Sequence, residues 1–305
     1  MEKNKKVFII ILNFNRKKDI LDCLHSVDQV KKLKSLKLEV VVVDNGSTDG
    51  SVKAIKEKFP QVKIIVNSKN FGFAKGNNIG IRYALNRRAD YCVILNNDTF
   101  VDKNFLVQLI KVAERNKKIG LISPKIYFAP GFEYHYERYQ KSERGKVIWY
   151  AGGKMDWNNI LASHRGVDEV DKGQYDKTEV TDFSTGCCML IRTEFLRKIG
   201  LFDEKYFLYW EDNDLSQRLK KAGYKVYFCP QAFIWHKNAS LSGSGSKMHD
   251  YYLTRNRFLF GLKYARFRVK LSLIKESLIK LFKGREGEKM GILDFYLGRW
   301  GKGNF

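Results

Sequence analysis

"LEVVVVDNGSTDGS" occupies residues 38–51. Its first half is a β-branched run without polar alternation, which suits a strand covered on both faces. The run stops at Asp44, and a short polar turn leads into "GSVKAIKEKF", which has the spacing of a helix. A buried strand that ends in a polar turn and feeds a helix is the repeating unit of a parallel α/β sheet.

The same unit recurs on both sides. "VFIIIL" (7–12) is a second two-sided apolar strand, followed by a helix over about 17–30 that aligns Ile20, Leu21, Leu24 and Val27. "VKIIVN" (62–67), the helix "GNNIGIRYAL" (76–85) and the strand "YCVILN" continue the alternation. Each strand ends in a polar cluster: Asn13–Arg16, Asp44–Asp49, Asn67–Asn70 and Asn96–Thr99. Ligands of open α/β sheets bind beyond the carboxyl ends of the strands, so these four clusters point to one crevice. Asp44, directly at its strand's end, can accept from a base or ribose as well as cap a turn. The small residues Gly72, Ala74 and Gly76 let backbone approach a ligand closely.

Composition sets the outer limits. The 305 residues are 44% hydrophobic and contain four prolines, with no linker and no fixed-period repeat, which suits one large α/β domain or a domain with an appendage. A formal net charge of +23 predicts an anionic partner. No RRM, KH, helix-turn-helix or zinc signature accompanies it, so nucleic acid is not expected. The five cysteines show no C-x-x-C spacing and read as buried free thiols in a reducing compartment. The early apolar run is too short for a signal-peptide core, and no stretch is long and uncharged enough to span a bilayer. The Asn-x-Ser/Thr triplets at Asn45, Asn97 and Asn238 are then chance matches.

Several motifs fail their tests. "DNGSTDGS" lacks the ligand spacing and closing Glu of a calcium loop. "NFGFAKGNNIG" (70–80) and "SGSGSK" (242–247) are neither P-loops nor dinucleotide fingerprints. In "LNNDTF", Asp98 and its neighbouring amides can hold Mg²⁺ or Mn²⁺ beside a substrate diphosphate. A polar turn explains that stretch taken alone; beside Asp44 it does not. Glu211, Asp212 and Asp214 open a predicted helix, where carboxylates complement the dipole. That accounts for one or two of them but not for the aromatic approach "YFLYW", whose Trp210 suits a platform for stacking acceptor sugars. A helix N-terminus also lowers a carboxylate's pKa, so Asp212 is expected to be ionised and only a modest base. His236, after "AFIW", is either a half-buried strand-end histidine or a metal or phosphate ligand. Cys187 and Cys188 have no base partner nearby and read as packing.

In order, "ILNFNR", "VVVDNGSTDGS", "NFGFAKGNN", "ILNNDT", "STGCCMLIR" and "FDEKYFLYWEDNDLSQRL" resemble the family 2 glycosyltransferases over roughly residues 7–260. These are inverting enzymes of the GT-A fold. "WHK…S" and "YYLTRN" (251–256) look like the bacterial rhamnosyltransferase-like branch. The resemblance implies an α/β GT-A fold with a mostly parallel sheet, a transferase domain over 1–250 (nucleotide half 1–125, acceptor half 126–250) and a helical, basic extension over 251–305. It implies that Asp44 recognises the base, that Asn96 lies near the ribose, and that Asp98 binds Mn²⁺ or Mg²⁺ with His236 near the metal or diphosphate. Asn13, Asn15, Arg16, Asn70, Gly72, Lys75 and Asn97 would complete the nucleotide-sugar site. Asp212 would be the general base, with Gly186, Trp210 and Glu211 toward the acceptor. Asn96 stands where the family's D-x-D motif has a carboxylate.

The implied reaction moves a sugar from a UDP- or dTDP-sugar, dTDP-rhamnose among them, to a hydroxyl of a saccharide. That acceptor would be polyprenyl-diphosphate-linked, in cell-surface polysaccharide synthesis. The tail at 259–289 interleaves aliphatic and basic residues as one amphipathic helix, packed on the domain or lying on anionic lipid. The expected location is cytoplasmic, on the inner face of the cell membrane. Two rivals stand beside this reading: a sugar-phosphate nucleotidyltransferase, whose Gly-rich, Arg-containing first loop is here "NFNRKKD", and a non-catalytic sugar- or lipid-binding protein.

Overall fold

A computed structural model describes residues 4–31, 35–237 and 245–305; Asn238, the serines just after "WHK" and residues 242–244 lie outside it. Strands β1 (Lys5–Asn13), β2 (Leu36–Asp44), β3 (Lys63–Val66) and β4 (Tyr91–Asn96) alternate with α1 (Lys17–Asp28), α2 (Ser51–Lys58) and α3 (Gly72–Asn86). These four strands are mutually parallel in the order β3-β2-β1-β4. The β-branched runs explain this: Val7, Ile9 and Ile11 enter the core on one face of the sheet, Phe8 and Ile10 that on the other, all fully buried.

The chain continues through β5 (Thr99–Val101), α4 (Phe105–Arg115), β6 (Ile119–Phe128), β7 (Ile148–Tyr150) and the hairpin β8 (Gly153–Asp156)–β9 (Leu161–His164). Then follow β10 (Glu179–Val180), β11 (Cys188–Arg192), α5 (Thr193–Ile199), α6 (Glu211–Lys221) and β12 (Lys225–His236). The full sheet order is β10-β12-β6-β11-β4-β1-β2-β3, with β5 on β12 and β7 on β6. Strand β11 runs antiparallel to both its neighbours, so its first residues lie beside the carboxyl end of β4.

Two expectations change. Helix α3 begins at Gly72 rather than residue 76. Its first amides find partners, Gly72 N–H on Asn70 Oδ1 (2.8 Å) and Phe73 N–H on Phe207 O (2.7 Å). Gly72 has φ +79°, and a Cβ there would meet Phe207 at 2.5 Å, so the space this glycine leaves is taken by protein. The tail is three helices rather than one: α7 (Lys247–Tyr264), α8 (Phe267–Lys283) and α9 (Glu286–Tyr296). Helix α7 is largely buried, while α8 exposes Phe267, Leu271, Ile274, Leu278 and Phe282 along one stripe. A separate core joins Phe258, Phe260, Leu273 and Ile292 of these helices to Ile160, Tyr206 and Trp210.

Candidate active site

The carboxyl ends of β1, β2 and β4 are tied together by side-chain amides. Asn13 pairs in register with Asp44 and donates Nδ2–H to Asp44 Oδ2 (3.0 Å), while its Oδ1 accepts from Asn97 Nδ2 (2.8 Å). Asp44 is fully buried, and its Oδ1 accepts from the N–H groups of Gly46 (3.1 Å) and Ser47 (2.8 Å). With these donors the Asp44 carboxylate folds its own loop, at the carboxyl end of β2 where the base contact is expected. Asn15, at φ +49°, presents Oδ1 to Thr48 N–H (2.8 Å) and clips the first loop to the second. Asn45 crosses to Asn70 Oδ1 and Gly72 O, both at 3.1 Å. Lys75 is exposed, its ammonium 4.7 Å from the Phe71 ring.

Asp98 follows β4, and β12 delivers His236 to it by pairing His236 with Thr99 of β5. His236 Nε2 stands 3.1 Å from Asp98 Oδ1, yet the alignment is not that of a hydrogen bond, and Asp98 Oδ1 and His236 Nδ1 are buried without partners. Burial opposes ionisation of Asp98, but His236 and, further off, Arg16 more than offset it and hold the carboxyl below its ordinary value. Two adjacent ligands of an octahedral divalent ion, each at about 2.1 Å, are separated by about 3 Å. The Asp98–His236 separation therefore fits such an ion. Among the described residues no group of three or more metal-ligating side chains gathers, so phosphate and water would supply the remaining ligands.

Asp212 reaches the same edge from the opposite side. Its Oδ2 accepts Gly186 N–H (2.9 Å), and Asn96 N–H donates to Cys187 O (2.9 Å), so Asp212 and the Asn96–Asp98 loop flank one short segment. Burial raises the pKa of Asp212, against the lowering by the N–H groups of Gly186 and Asn213. Desolvation at Asp212 thus opposes the helix terminus, and its direction is opposite to the dipole-depressed base expected from the sequence. Glu211 is 4% exposed; burial, followed by the charge of Asp212, pushes its carboxyl well above the usual range. Asp214 is structural, accepting from Arg218 Nε, Lys263 Nζ and Tyr264 OH, each at 2.7 Å.

The aromatic approach is not an open platform. Trp210 is 7% exposed and packs on Phe260, ring centroids 4.9 Å apart, and Phe207 stacks on Tyr252 at 5.1 Å. The reason lies in the backbone: Tyr209 (φ +69°) and Trp210 (φ +74°) form a left-handed turn that swings the indole into the core. Two residues escaped the sequence reading. Trp149 of β7 meets His236 edge-on at 4.7 Å, and no periodicity marks it. Lys237 donates backbone N–H to Asp98 O (2.9 Å) and its ammonium to Asp19 and Asp22 (2.8 Å each), anchoring the end of β12 to α1. Its position after His236 was the only available signal. The five cysteines are buried and free, as expected, and burial pushes the Cys23 and Cys92 thiols up to about 12.

The family model "Glycosyl transferase family 2" matches residues 8–200. The chain is a family 2 glycosyltransferase. This membership removes the nucleotidyltransferase alternative. Among similar proteins, the N-acetylglucosaminyl-diphospho-decaprenol L-rhamnosyltransferase of Mycobacterium tuberculosis is 28% identical over 222 residues, covering 70% of each chain. The dTDP-rhamnosyl transferase RfbF of Shigella flexneri is 25% identical over 265 residues, 84% of this glycosyltransferase and 80% of RfbF. In fold, the transferase resembles GalNAc-T7 crystallised with UDP, GalNAc and Mn²⁺ (TM-score 0.60, 17% identity, 90% of this chain and 55% of that one). The sheet order and this likeness make the fold GT-A.

Proposed function

We propose that this glycosyltransferase moves a sugar, with inversion, from a nucleoside diphosphate donor to a hydroxyl of a lipid-linked saccharide. The observation that carries the proposal is the convergence of Asp98 and His236, spaced for a divalent ion, with the half-buried carboxylate of Asp212, held by Gly186 N–H at 2.9 Å. Asp212 takes the proton of the acceptor hydroxyl as that oxygen bonds the anomeric carbon. The bond from that carbon to the diphosphate oxygen breaks on the opposite face, and its electron pair leaves with the nucleoside diphosphate. Asp98 and His236 would hold Mn²⁺ or Mg²⁺, whose charge stabilises the departing diphosphate. Asp44 shapes the donor loop, while Asn15 and Arg16 at the mouth of β1, and Asn96 and Asn97 at the end of β4, line the donor crevice. Gly186 holds Asp212 toward the acceptor.

The relatives' names favour a dTDP-rhamnose donor and a polyprenyl-diphosphate acceptor, in cell-surface polysaccharide synthesis. We place residues 251–305 as a membrane-facing extension of a transferase unit at 1–250, whose halves 1–125 and 126–250 serve donor and acceptor. No helix among the described residues is long and apolar enough to cross a membrane. Peripheral association with the inner face of the membrane is supported instead by the exposed stripe of α8, flanked by Arg268 and Lys275, and by the net charge of +23.

The test is a panel of UDP-, dTDP- and GDP-sugars with Mn²⁺ or Mg²⁺, reading nucleoside diphosphate release by wild type, Asp98→Ala and Asp212→Asn. Release from one donor class, lost in both variants, supports the mechanism. Failure of every donor with a polyprenyl-linked acceptor present would leave a sugar-binding protein.

A further inference from the structure

The turn that delivers Asp212 is strained. Two consecutive side-chain-bearing residues, Tyr209 and Trp210, hold positive φ immediately before α6, and such a conformation persists only where its surroundings over-determine it. No side chain caps the start of α6, so the helix itself does not fix the turn. The fixing groups come from α7. Asn256 is fully buried and donates both amide hydrogens to the turn, to Leu208 O at 2.8 Å and to Tyr209 O at 2.9 Å. Its own oxygen is held by Arg255 Nε at 3.0 Å, which settles the amide's orientation. Arg255, also fully buried, reaches Lys205 O at 3.4 Å and Arg299 O at 3.2 Å. Tyr252 stacks on Phe207 one turn of helix earlier.

We propose that Asn256 is a positioning residue for the transfer: by clamping the carbonyls of Leu208 and Tyr209 it maintains the left-handed turn that sets Asp212 against Gly186. The inference rests on Asp212 acting as the base. Asn256 itself touches neither the donor loops nor the Asp98–His236 pair; its hold is on Leu208 and Tyr209, and the donor side is reached only one residue earlier, where Phe207 O accepts Phe73 N–H at 2.7 Å. An asparagine suits the place because it offers two donors to two adjacent carbonyls from one short planar group, while its remaining acceptor faces a guanidinium. Aspartate in that place turns a carboxylate toward two carbonyl oxygens. Alanine removes both donors.

The experiment measures kcat and donor KM for wild type, Asn256→Ala and Asn256→Ser. It also measures nucleoside diphosphate affinity with Mn²⁺ by calorimetry and the Tm of each protein. Assays run well below the lowest Tm. The expected result is a kcat about ten- to a hundredfold lower in Asn256→Ala, as for a small misplacement of a reacting group, with donor KM and nucleotide affinity within twofold of wild type. Asn256→Ser, which keeps one donor, is expected to fall between. A folded variant with wild-type kcat, or one that loses nucleotide affinity in parallel with kcat, overturns the proposal. If Asn256→Ala does not fold, Asn256→Ser carries the same decision. Wild type that turns over no donor would defeat the proposed function first, and the two failures are told apart by that control.

Discussion

Gly186 gives its backbone N–H to Asp212 Oδ2 at 2.9 Å, across 26 residues of sequence. The bond joins the segment just before β11 to the first turn of α6 and aims one carboxylate oxygen. Asp212→Asn keeps an acceptor for that N–H but loses the base. Its kcat is expected to fall by about 10²–10⁴-fold with nucleoside diphosphate affinity unchanged, measured by steady-state turnover and calorimetry.

The pH profile should carry the mark of burial. The base must be ionised to act, so kcat/KM rises with pH through the Asp212 pKa. Burial raises that pKa above the ordinary 3.8, so the acid limb should sit above the usual aspartate position. Residual activity in Asp212→Asn should lack this limb. A limb at or below 3.8 would mean that the helix terminus dominates after all.

Glu211 tests the same physics through stability. Its folded-state pKa is raised well above 4.5, chiefly by burial. The native state therefore holds a proton that the unfolded chain releases, and stability falls as pH rises from about 4.5 toward the folded value. Glu211→Gln should remove this slope. Thermal unfolding across pH 4 to 8 should show the Tm difference between variant and wild type growing with pH.

The Asp98–His236 pair should be needed for metal. Asp98→Ala and His236→Ala are each expected to weaken Mn²⁺ binding at least about tenfold in the presence of nucleoside diphosphate, since each removes one of the two proposed protein ligands. Electron paramagnetic resonance of free Mn²⁺ reads this without turnover. Chelation should abolish wild-type transfer, and added Mn²⁺ should restore it.

Helix α8 should hold the membrane. Leu271→Asp with Leu278→Asp is expected to abolish sedimentation with phosphatidylglycerol vesicles while turnover on a soluble saccharide acceptor stays intact. Binding of wild type should weaken with salt, because the flanking cations act through screened charge. Unaltered sedimentation by the double variant would move the contact elsewhere.

The parallel half of the sheet was legible because its strands are buried on both faces, and such strands write themselves as unbroken β-branched runs. Asp98 and His236 were legible because strand ends gather in one place by topology. What escaped depends on contacts far apart in sequence. The burial of Trp210 follows from a left-handed turn that no residue at 209 or 210 advertises, since neither is glycine or asparagine. For Asp212 the helix position is local knowledge, whereas the desolvation that opposes it comes from the assembled chain. The tail read as one helix because Ala265 and Arg266, where α7 ends and α8 begins, carry no breaker.

The support for the catalytic turn also comes from beyond α9. Gly301 N–H bonds Lys205 O at 3.0 Å, and Tyr206 bridges to Gly301. This last part of the brace lies 89 residues beyond Asp212 in the chain. A chain cut short of Gly301 would therefore lack this part of the support for the turn before Asp212.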